Sequence, residues 1–127
     1  MSKSLSILVV DDNPSMTSIL ADILEVKGFE VHAAYCGAEA LEILRDHPVD
    51  ILLTDVRMPD MNGVELYRAI RKIYPNLNTI LMTAYSADDI IQQGMKEGIQ
   101  TVLSKPVDID FLLALFSAYK RSIPKTG

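Results

Sequence analysis

Four apolar runs in this sequence are each followed directly by side chains that can bind ions or transfer groups. They are two acids after the first run, one acid, one hydroxyl and one amine after three later runs: Asp11, Asp12, Asp55, Thr83 and Lys105. If these runs are parallel strands of one sheet, the five side chains meet at its carboxyl edge, where open α/β sheets bind ligands.

The whole sequence alternates strand and helix patterns five times, which is typical of a parallel sheet covered on both faces. We predict strands at 5–10, 29–34, 51–54, 79–82 and 101–104, and helices at 13–28, 37–45, 64–73, 88–97 and 108–121. A stripe in the last helix, Phe111, Leu112, Leu115, Phe116 and Tyr119, predicts its core face. Five strands favour a doubly wound, flavodoxin-like α/β fold with the order 2-1-3-4-5, in which the first and third strands are neighbours.

The three predicted neighbours Asp11, Asp12 and Asp55 carry an unbalanced charge. Adjacent strands lie ~4.8 Å apart, so these carboxylates repel one another, which raises the pKa of at least one of them. Lys105 supplies one positive charge, and a net charge of about −2 remains, which a divalent cation would neutralise. A few carboxylate oxygens with room for water suit Mg²⁺.

A cation at this place would let Asp55 approach an anionic phosphoryl group. Lys105 and the Thr83 hydroxyl are then expected to hold the remaining phosphoryl oxygens. These residue types predict an aspartate nucleophile for phosphoryl transfer, in which neutralisation of charge provides most of the catalysis.

Length, charge and cysteine content indicate the number of domains, the cellular setting and the kind of partner. The chain has 127 residues, a net charge of −5 and one cysteine, Cys36, which indicates one domain and a reducing, cytoplasmic setting. No apolar run reaches the ~20 residues of a membrane span. An acidic chain without a basic stripe is a poor binder of nucleic acid, so we expect a protein partner with a basic surface.

Four motifs together resemble the receiver domains of bacterial response regulators, the CheY-like family. They are VVDDN at 9–13, LTDVRMPDMNG at 53–63, MTA at 82–84 and LSKPV at 103–107. The resemblance covers about residues 5–121. It implies a receiver domain at 1–121, with 122–127 as a C-terminal tail or the start of a linker.

The resemblance implies that Asp55 accepts a phosphoryl group from a phosphohistidine on a sensor histidine kinase or phosphotransfer protein. Thr83 and Lys105 would contact the phosphoryl oxygens, and the peptide between Lys105 and Pro106 is expected to be cis and to aim Lys105 into the site. The protein would be a switch that catalyses its own phosphorylation and slow dephosphorylation, not an enzyme that turns over substrate.

The same resemblance implies a set of Mg²⁺ ligands. Asp12 would bind the ion directly, Asp11 mainly through water, and Asp55 with the backbone carbonyl of Arg57 would complete the protein ligands. The side chains of Arg57 and Tyr85 are expected to flank the phosphoryl group and to restrict hydrolytic water.

One position departs from the family pattern. Three residues before Lys105 the family usually has Tyr or Phe, whose ring relays phosphorylation to the surface, and this chain has Val102. We expect Thr83 and the loop after it to carry the change. By resemblance, residues 88–121 would contact an output domain, an effector or a second copy in a homodimer.

Three other interpretations of the motifs compete with a receiver domain, and the third is the chief alternative. A haloacid-dehalogenase-type phosphatase needs a second acid two residues after the nucleophile, where this chain has Arg57. A flavodoxin-like flavin module needs a phosphate-binding loop after the first strand, where Asp11 and Asp12 would repel phosphate. The third is a constitutive interaction module of the receiver fold, which acid-labile phosphate on Asp55 would distinguish from a switch.

Overall fold

The computed structural model describes residues 5–84, 89–99 and 101–119. Strands and helices alternate in the order β1 Ser6–Val10, α1 Pro14–Val26, β2 Glu30–Ala34, α2 Gly37–Asp46, β3 Ile51–Asp55, α3 Gly63–Arg71, β4 Asn78–Thr83, α4 Asp89–Lys96, β5 Thr101–Ser104 and α5 Ile109–Ala118. The strands form one parallel sheet in the order β2-β1-β3-β4-β5. The predicted fold class and strand order are confirmed.

The register of the strands brings their carboxyl ends to one edge. Val10 of β1 pairs with Thr54 of β3, and Thr83 of β4 pairs with Ser104 of β5. The residues that follow β1 and β5 therefore leave the sheet beside Asp55 and Thr83. This register is what positions the candidate site.

Alternate strand residues point to opposite faces of the sheet, and each face has its own core. Ile7 and Leu53 pack with Phe116 of α5 on one face. Leu8 and Leu52 pack with residues of α2 and α3 on the other face. Both sets are fully or almost fully buried, so the central strands are fixed on both sides.

A smaller third cluster lies beneath α4. Its buried members are Val56, Val64, Leu81, Ile91 and Ile99. Val102 packs against them as a half-buried side chain. Helix α4 ends at Lys96, and the turn that follows contains Gly98, whose φ of +116° is a backbone conformation that favours glycine. Within the described residues, every helix is too short or too polar to traverse a lipid bilayer.

The structure corrects some local predictions. The third helix ends at Arg71 rather than at residue 73, and β3 extends through Asp55. The core stripe of the last helix is wrong at Phe111, which is 52% exposed, while Leu112 and Phe116 are buried. The predicted start of the fourth helix at residue 88 and the predicted end of the last helix at residue 121 lie outside the described residues.

Candidate functional site

The Lys105 ammonium group joins the two buried acids of the predicted site. Its Nζ lies 2.8 Å from Asp11 Oδ2 and 2.9 Å from Asp55 Oδ2. Asp11 is 1% exposed and Asp55 is 8% exposed, so both carboxylates are largely withdrawn from water. One ammonium group therefore forms ion pairs with two buried carboxylates, and the three side chains lie together as the strand ends predict.

Asp12 adds a third carboxylate on the open side of the cluster. One oxygen from each of Asp11, Asp12 and Asp55 can be chosen so that all three lie within 4.8 Å of one another. Asp12 is exposed, so solvent reaches the cluster from its side. With the charge of Lys105 counted, these side chains carry a formal charge of about −2 when all are ionised.

The backbone around Asp11 is held by contacts that sequence reasoning missed. The Asn13 N–H donates to Asp11 Oδ1 at 3.0 Å. The buried Thr17 hydroxyl shares its proton between the carbonyl oxygens of Asp11, at 2.9 Å, and Asn13, at 2.8 Å. The only sequence signal for this support is a hydroxyl residue one helical turn after Asn13.

Lys105 reaches the site because the chain directly after β5 stays hydrogen-bonded to the end of β4. Its backbone N–H donates to the Thr83 carbonyl at 2.8 Å, and the Lys105–Pro106 peptide is cis, as expected. Thr83 itself is 3% exposed at the end of β4. The predicted hydroxyl and amine thus come from neighbouring strand ends.

Burial disfavours the charged forms of both Asp55 and Lys105, whereas the attraction between these two groups favours them. Burial raises the pKa of Asp55, and the charge of Asp11 raises it further, while Lys105 and the Val56 N–H lower it without cancelling the rise. Burial lowers the pKa of Lys105, but its hydrogen bonds to Asp11 and Asp55 outweigh burial, and the net pKa is raised. Lys105 therefore stays charged, and an ionised Asp55 is costly.

The donor set fits a small divalent cation. Three carboxylate oxygens within 4.8 Å and an exposed side at Asp12 offer hard oxygen ligands with room for water, which is how Mg²⁺ is bound in proteins. Arg57 lies two residues beyond Asp55 in an exposed loop segment. Asp11, Asp12 and Asp55 thus form an acidic pocket whose donor atoms fit Mg²⁺.

Two further predicted positions lie away from this cluster. Val102 lies in β5 and packs beneath α4, with Ile90 and Ile91 among its cluster partners. Tyr85, the predicted flanking residue after Thr83, lies outside the described residues.

Solved structures of receiver proteins have the same fold. CheY4 of Vibrio cholerae superimposes with a TM-score of 0.85 at 28% identity, over 92% of this chain and 99% of that chain. A CheY-like receiver domain protein of Methanospirillum hungatei gives a TM-score of 0.84 at 29% identity, over 91% and 92% of the two chains.

Curated relatives combine such a region with much longer chains. A response regulator receiver protein of Anaeromyxobacter is 44% identical over 108 residues, which are 85% of this chain and 45% of that protein. The transcriptional regulatory protein GlrR of Escherichia coli is 34% identical over 98% of this chain and 28% of its own length. The sensor histidine kinase RcsC of Salmonella typhimurium is 37% identical over 94% of this chain and 13% of its own length. The chain thus spans less than half of the length of each of these relatives.

A sequence model of the family described as "Response regulator receiver domain" matches residues 7–117. That match covers most of the chain and includes each of the strand ends that form the acidic cluster. This chain belongs to the response regulator receiver family of two-component signal transduction.

Proposed function

We propose that Asp55 is the phosphoacceptor of this receiver domain and that the reaction depends on Mg²⁺. The observation that carries the proposal is the Lys105 ammonium group held between Asp11 and Asp55, at 2.8 Å and 2.9 Å. It places a cation beside a largely buried carboxylate at the carboxyl edge of the sheet. Such an arrangement suits phosphoryl transfer, in which positioning and charge stabilisation supply most of the catalysis.

In the proposed step a carboxylate oxygen of Asp55 attacks the phosphorus of a phosphohistidine. The P–N bond breaks, its electron pair stays on the imidazole nitrogen, and an acyl phosphate forms on Asp55. Lys105 stabilises negative charge on one phosphoryl oxygen, and the Thr83 hydroxyl, at the neighbouring strand end, donates to another. The product switches a partner; the protein does not turn over a substrate.

The metal ligands would be the carboxylates of Asp12 and Asp55 with the carbonyl oxygen of Arg57, and Asp11 would act mainly through water. Mg²⁺ supplies positive charge that offsets both the acidic cluster and the incoming phosphoryl oxygens. Asp12 lies on the exposed side of the cluster, which favours it as a direct ligand. The side chains of Arg57 and Tyr85 would then restrict the approach of water to the acyl phosphate.

The partners follow from the same proposal. The donor would be a sensor histidine kinase or phosphotransfer protein, and residues 88–121 would pass the signal to an output domain, an effector or a second copy of the domain. The GlrR and RcsC relatives are named as a transcriptional regulatory protein and a sensor kinase, which is consistent with receivers in both kinds of chain. We propose 1–121 as the receiver domain and 122–127 as a tail or the start of a linker, in a cytoplasmic protein.

Phosphorylation by a small donor tests the proposal. Purified protein is incubated with acetyl phosphate with and without Mg²⁺, and the adduct is measured by intact mass and by its loss in hydroxylamine, which cleaves acyl phosphates. We expect an adduct only with Mg²⁺ and none in Asp55→Asn. The control Asp22→Asn removes an exposed carboxylate of α1 and should behave as wild type. An adduct of equal yield in Asp55→Asn, or without metal, would contradict the proposal.

A further inference from the structure

Helix α2 receives its N-terminal cap from a distant part of the chain. Within the described residues, the N-cap residue Cys36 gives α2 no side-chain hydrogen bond. The Asp60 carboxylate caps α2 instead. Its Oδ1 accepts a hydrogen bond from the Gly37 N–H at 3.1 Å, and its Oδ2 accepts one from the Ala38 N–H at 2.9 Å. Three other helices are capped by the side chains of their own N-cap residues: Asn13, Asn62 and Asp108.

Asp60 belongs to the loop that follows the phosphoacceptor. This acceptor loop, residues 56–62, connects β3 to α3. A hydrogen bond joins its two ends, because the Gly63 N–H donates to the Val56 carbonyl at 2.9 Å. Val56 is also held to β4, because its N–H donates to the Met82 carbonyl at 3.1 Å. The two hydrogen bonds that Asp60 accepts from the first turn of α2 add an anchor between these ends.

A second contact fixes the same part of the loop. Met61 packs over Gly37 so closely that a Cβ added to Gly37 would clash with the Met61 side chain. The Met61 N–H also donates to Asp60 Oδ1 at 3.0 Å. The loop and the first turn of α2 thus fit together through both a polar and an apolar contact.

The charge of Asp60 suits this role. Hydrogen bonds from Ala38 above all, and from Gly37 and Met61, outweigh the effect of burial and lower the pKa of its carboxyl group. A carboxylate at a helix N-terminus is also favoured by the helix dipole. Asp60 itself is exposed, so water competes for these bonds and the effect of losing them is modest.

We propose that Asp60 is a positioning residue for the phosphoryl-transfer site, because it ties the acceptor loop to α2 and so holds the backbone of Arg57 beside Asp55. Only residues 57–59 separate the anchored Val56 from Asp60, and Pro59 restricts the backbone further. The position of the Arg57 carbonyl is therefore set by two nearby anchors. This inference rests on the function proposed above, in which that carbonyl binds Mg²⁺.

Calorimetric titration of the whole chain with Mg²⁺ tests the inference. In Asp60→Ala we expect the Mg²⁺ dissociation constant to rise about fivefold, equivalent to about 1 kcal/mol, the typical value of a helix cap. Asp60→Asn keeps one acceptor oxygen and should recover part of the affinity. The rate of phosphorylation by acetyl phosphate should fall at low Mg²⁺ and return to the wild-type rate at saturating Mg²⁺.

Gly28→Ala provides a control for a loss of stability away from the site. Gly28 has φ +98° in the turn before β2, at the opposite edge of the sheet from the acidic cluster, so alanine there strains the fold without contacting the site. We expect a lower urea midpoint and unchanged Mg²⁺ affinity. If Gly28→Ala loses as much affinity as Asp60→Ala, the effect of Asp60 is one of stability alone, and the inference is overturned.

Two further outcomes would also overturn it. Wild-type affinity in Asp60→Ala would show that the loop needs no anchor, and an equal loss in the Ala and Asn variants would show that only the charge of Asp60 acts. Failure of the proposed function is a different result, because wild-type protein itself would then show no Mg²⁺-dependent adduct on Asp55.

Discussion

Neutralising Asp55 should stabilise the metal-free protein, although Asp55 is the central residue of the site. The carboxylate is largely buried between Asp11, Asp12 and Lys105, and its raised pKa shows that its surroundings disfavour the ionised form. In Asp55→Asn the amide oxygen still accepts a hydrogen bond from Lys105, and the repulsion from the other two acids is removed. The substitution therefore keeps a contact and removes a charge.

The distances give the size of the effect. At an effective dielectric constant of about 20, two unit charges at 4.8 Å, the upper limit for the chosen carboxylate oxygens, repel by about 3.5 kcal/mol, and an opposite pair 2.9 Å apart attracts by about 5.7 kcal/mol. Repulsion from Asp11 and Asp12 together therefore exceeds the attraction of Lys105 by about 1 kcal/mol, and the desolvation of Asp55 adds to this. Solvent screens the exposed Asp12 and reduces the repulsion. We expect a gain of about 1–2 kcal/mol in the free energy of unfolding.

Urea denaturation with and without Mg²⁺ measures this gain. In metal-free buffer the Asp55→Asn midpoint should be higher than that of wild type, at an unchanged slope. Mg²⁺ at 100 times its dissociation constant should stabilise wild type by about 2.7 kcal/mol and Asp55→Asn by less, so the order of the two proteins should reverse. The control Asp22→Asn should follow wild type in both buffers. A lower metal-free midpoint for Asp55→Asn would refute the charge argument.

The pH dependence provides a second check of the same reasoning. Because the folded-state pKa of Asp55 is raised above the ordinary 3.8, the folded protein holds this proton more tightly than the unfolded chain does. The contribution of Asp55 to stability therefore falls as pH rises from 3.8 through its folded-state pKa. The advantage of metal-free Asp55→Asn should grow across that interval, and parallel stability curves for the two proteins would contradict the shift.

Three other perturbations test separate parts of the site. Lys105→Met should lower the metal-free free energy of unfolding by about 3 kcal/mol, because it leaves two buried carboxylates unpaired; a urea midpoint equal to that of wild type would contradict the bridging role. Arg57→Ala should shorten the half-life of the acyl phosphate, measured by loss of the phosphorylated mass, and an unchanged half-life would show that this side chain does not restrict water. Beryllofluoride, a phosphoryl mimic, should change amide hydrogen exchange in residues 83–90 and 56–63 more than around Val102 or in 108–121. The reverse pattern would indicate a different route through the domain.

The strand ends could be predicted from sequence because the signals there are local. Each apolar run is short and bounded, and the polar residue after it marks the edge of the sheet, as at Asp55 and Thr83. Once the order 2-1-3-4-5 is assumed, parallel pairing brings those edges together without further information. This is why Lys105 could be assigned to the site from a position 50 residues away from Asp55.

Other features depend on packing that the sequence pattern does not contain. The hydrogen bond that the Gly37 N–H donates to Asp60 joins residues 23 positions apart. It forms only because the acceptor loop lies over the start of α2. Phe111 belongs to an apolar stripe wider than the face that α5 buries, so Leu112 and Phe116 enter the core while Phe111 remains 52% exposed. Periodicity indicates which residues can face a core, but not how wide the contact is.

Lys105 also offers a route for the signal that needs no aromatic ring in β5. Phosphate can shift a conformational equilibrium only through contacts that differ between the two states. Lys105 Nζ contacts Asp55, and the Lys105 backbone N–H donates to the Thr83 carbonyl at 2.8 Å. We therefore expect a change at Asp55 to reach the end of β4 through Lys105. The segment after Thr83 leads into α4, where Val102 and Ile90 belong to the same cluster. A small side chain at Val102 cannot swing as a ring does, and we therefore expect α4 to respond through its connection to Thr83.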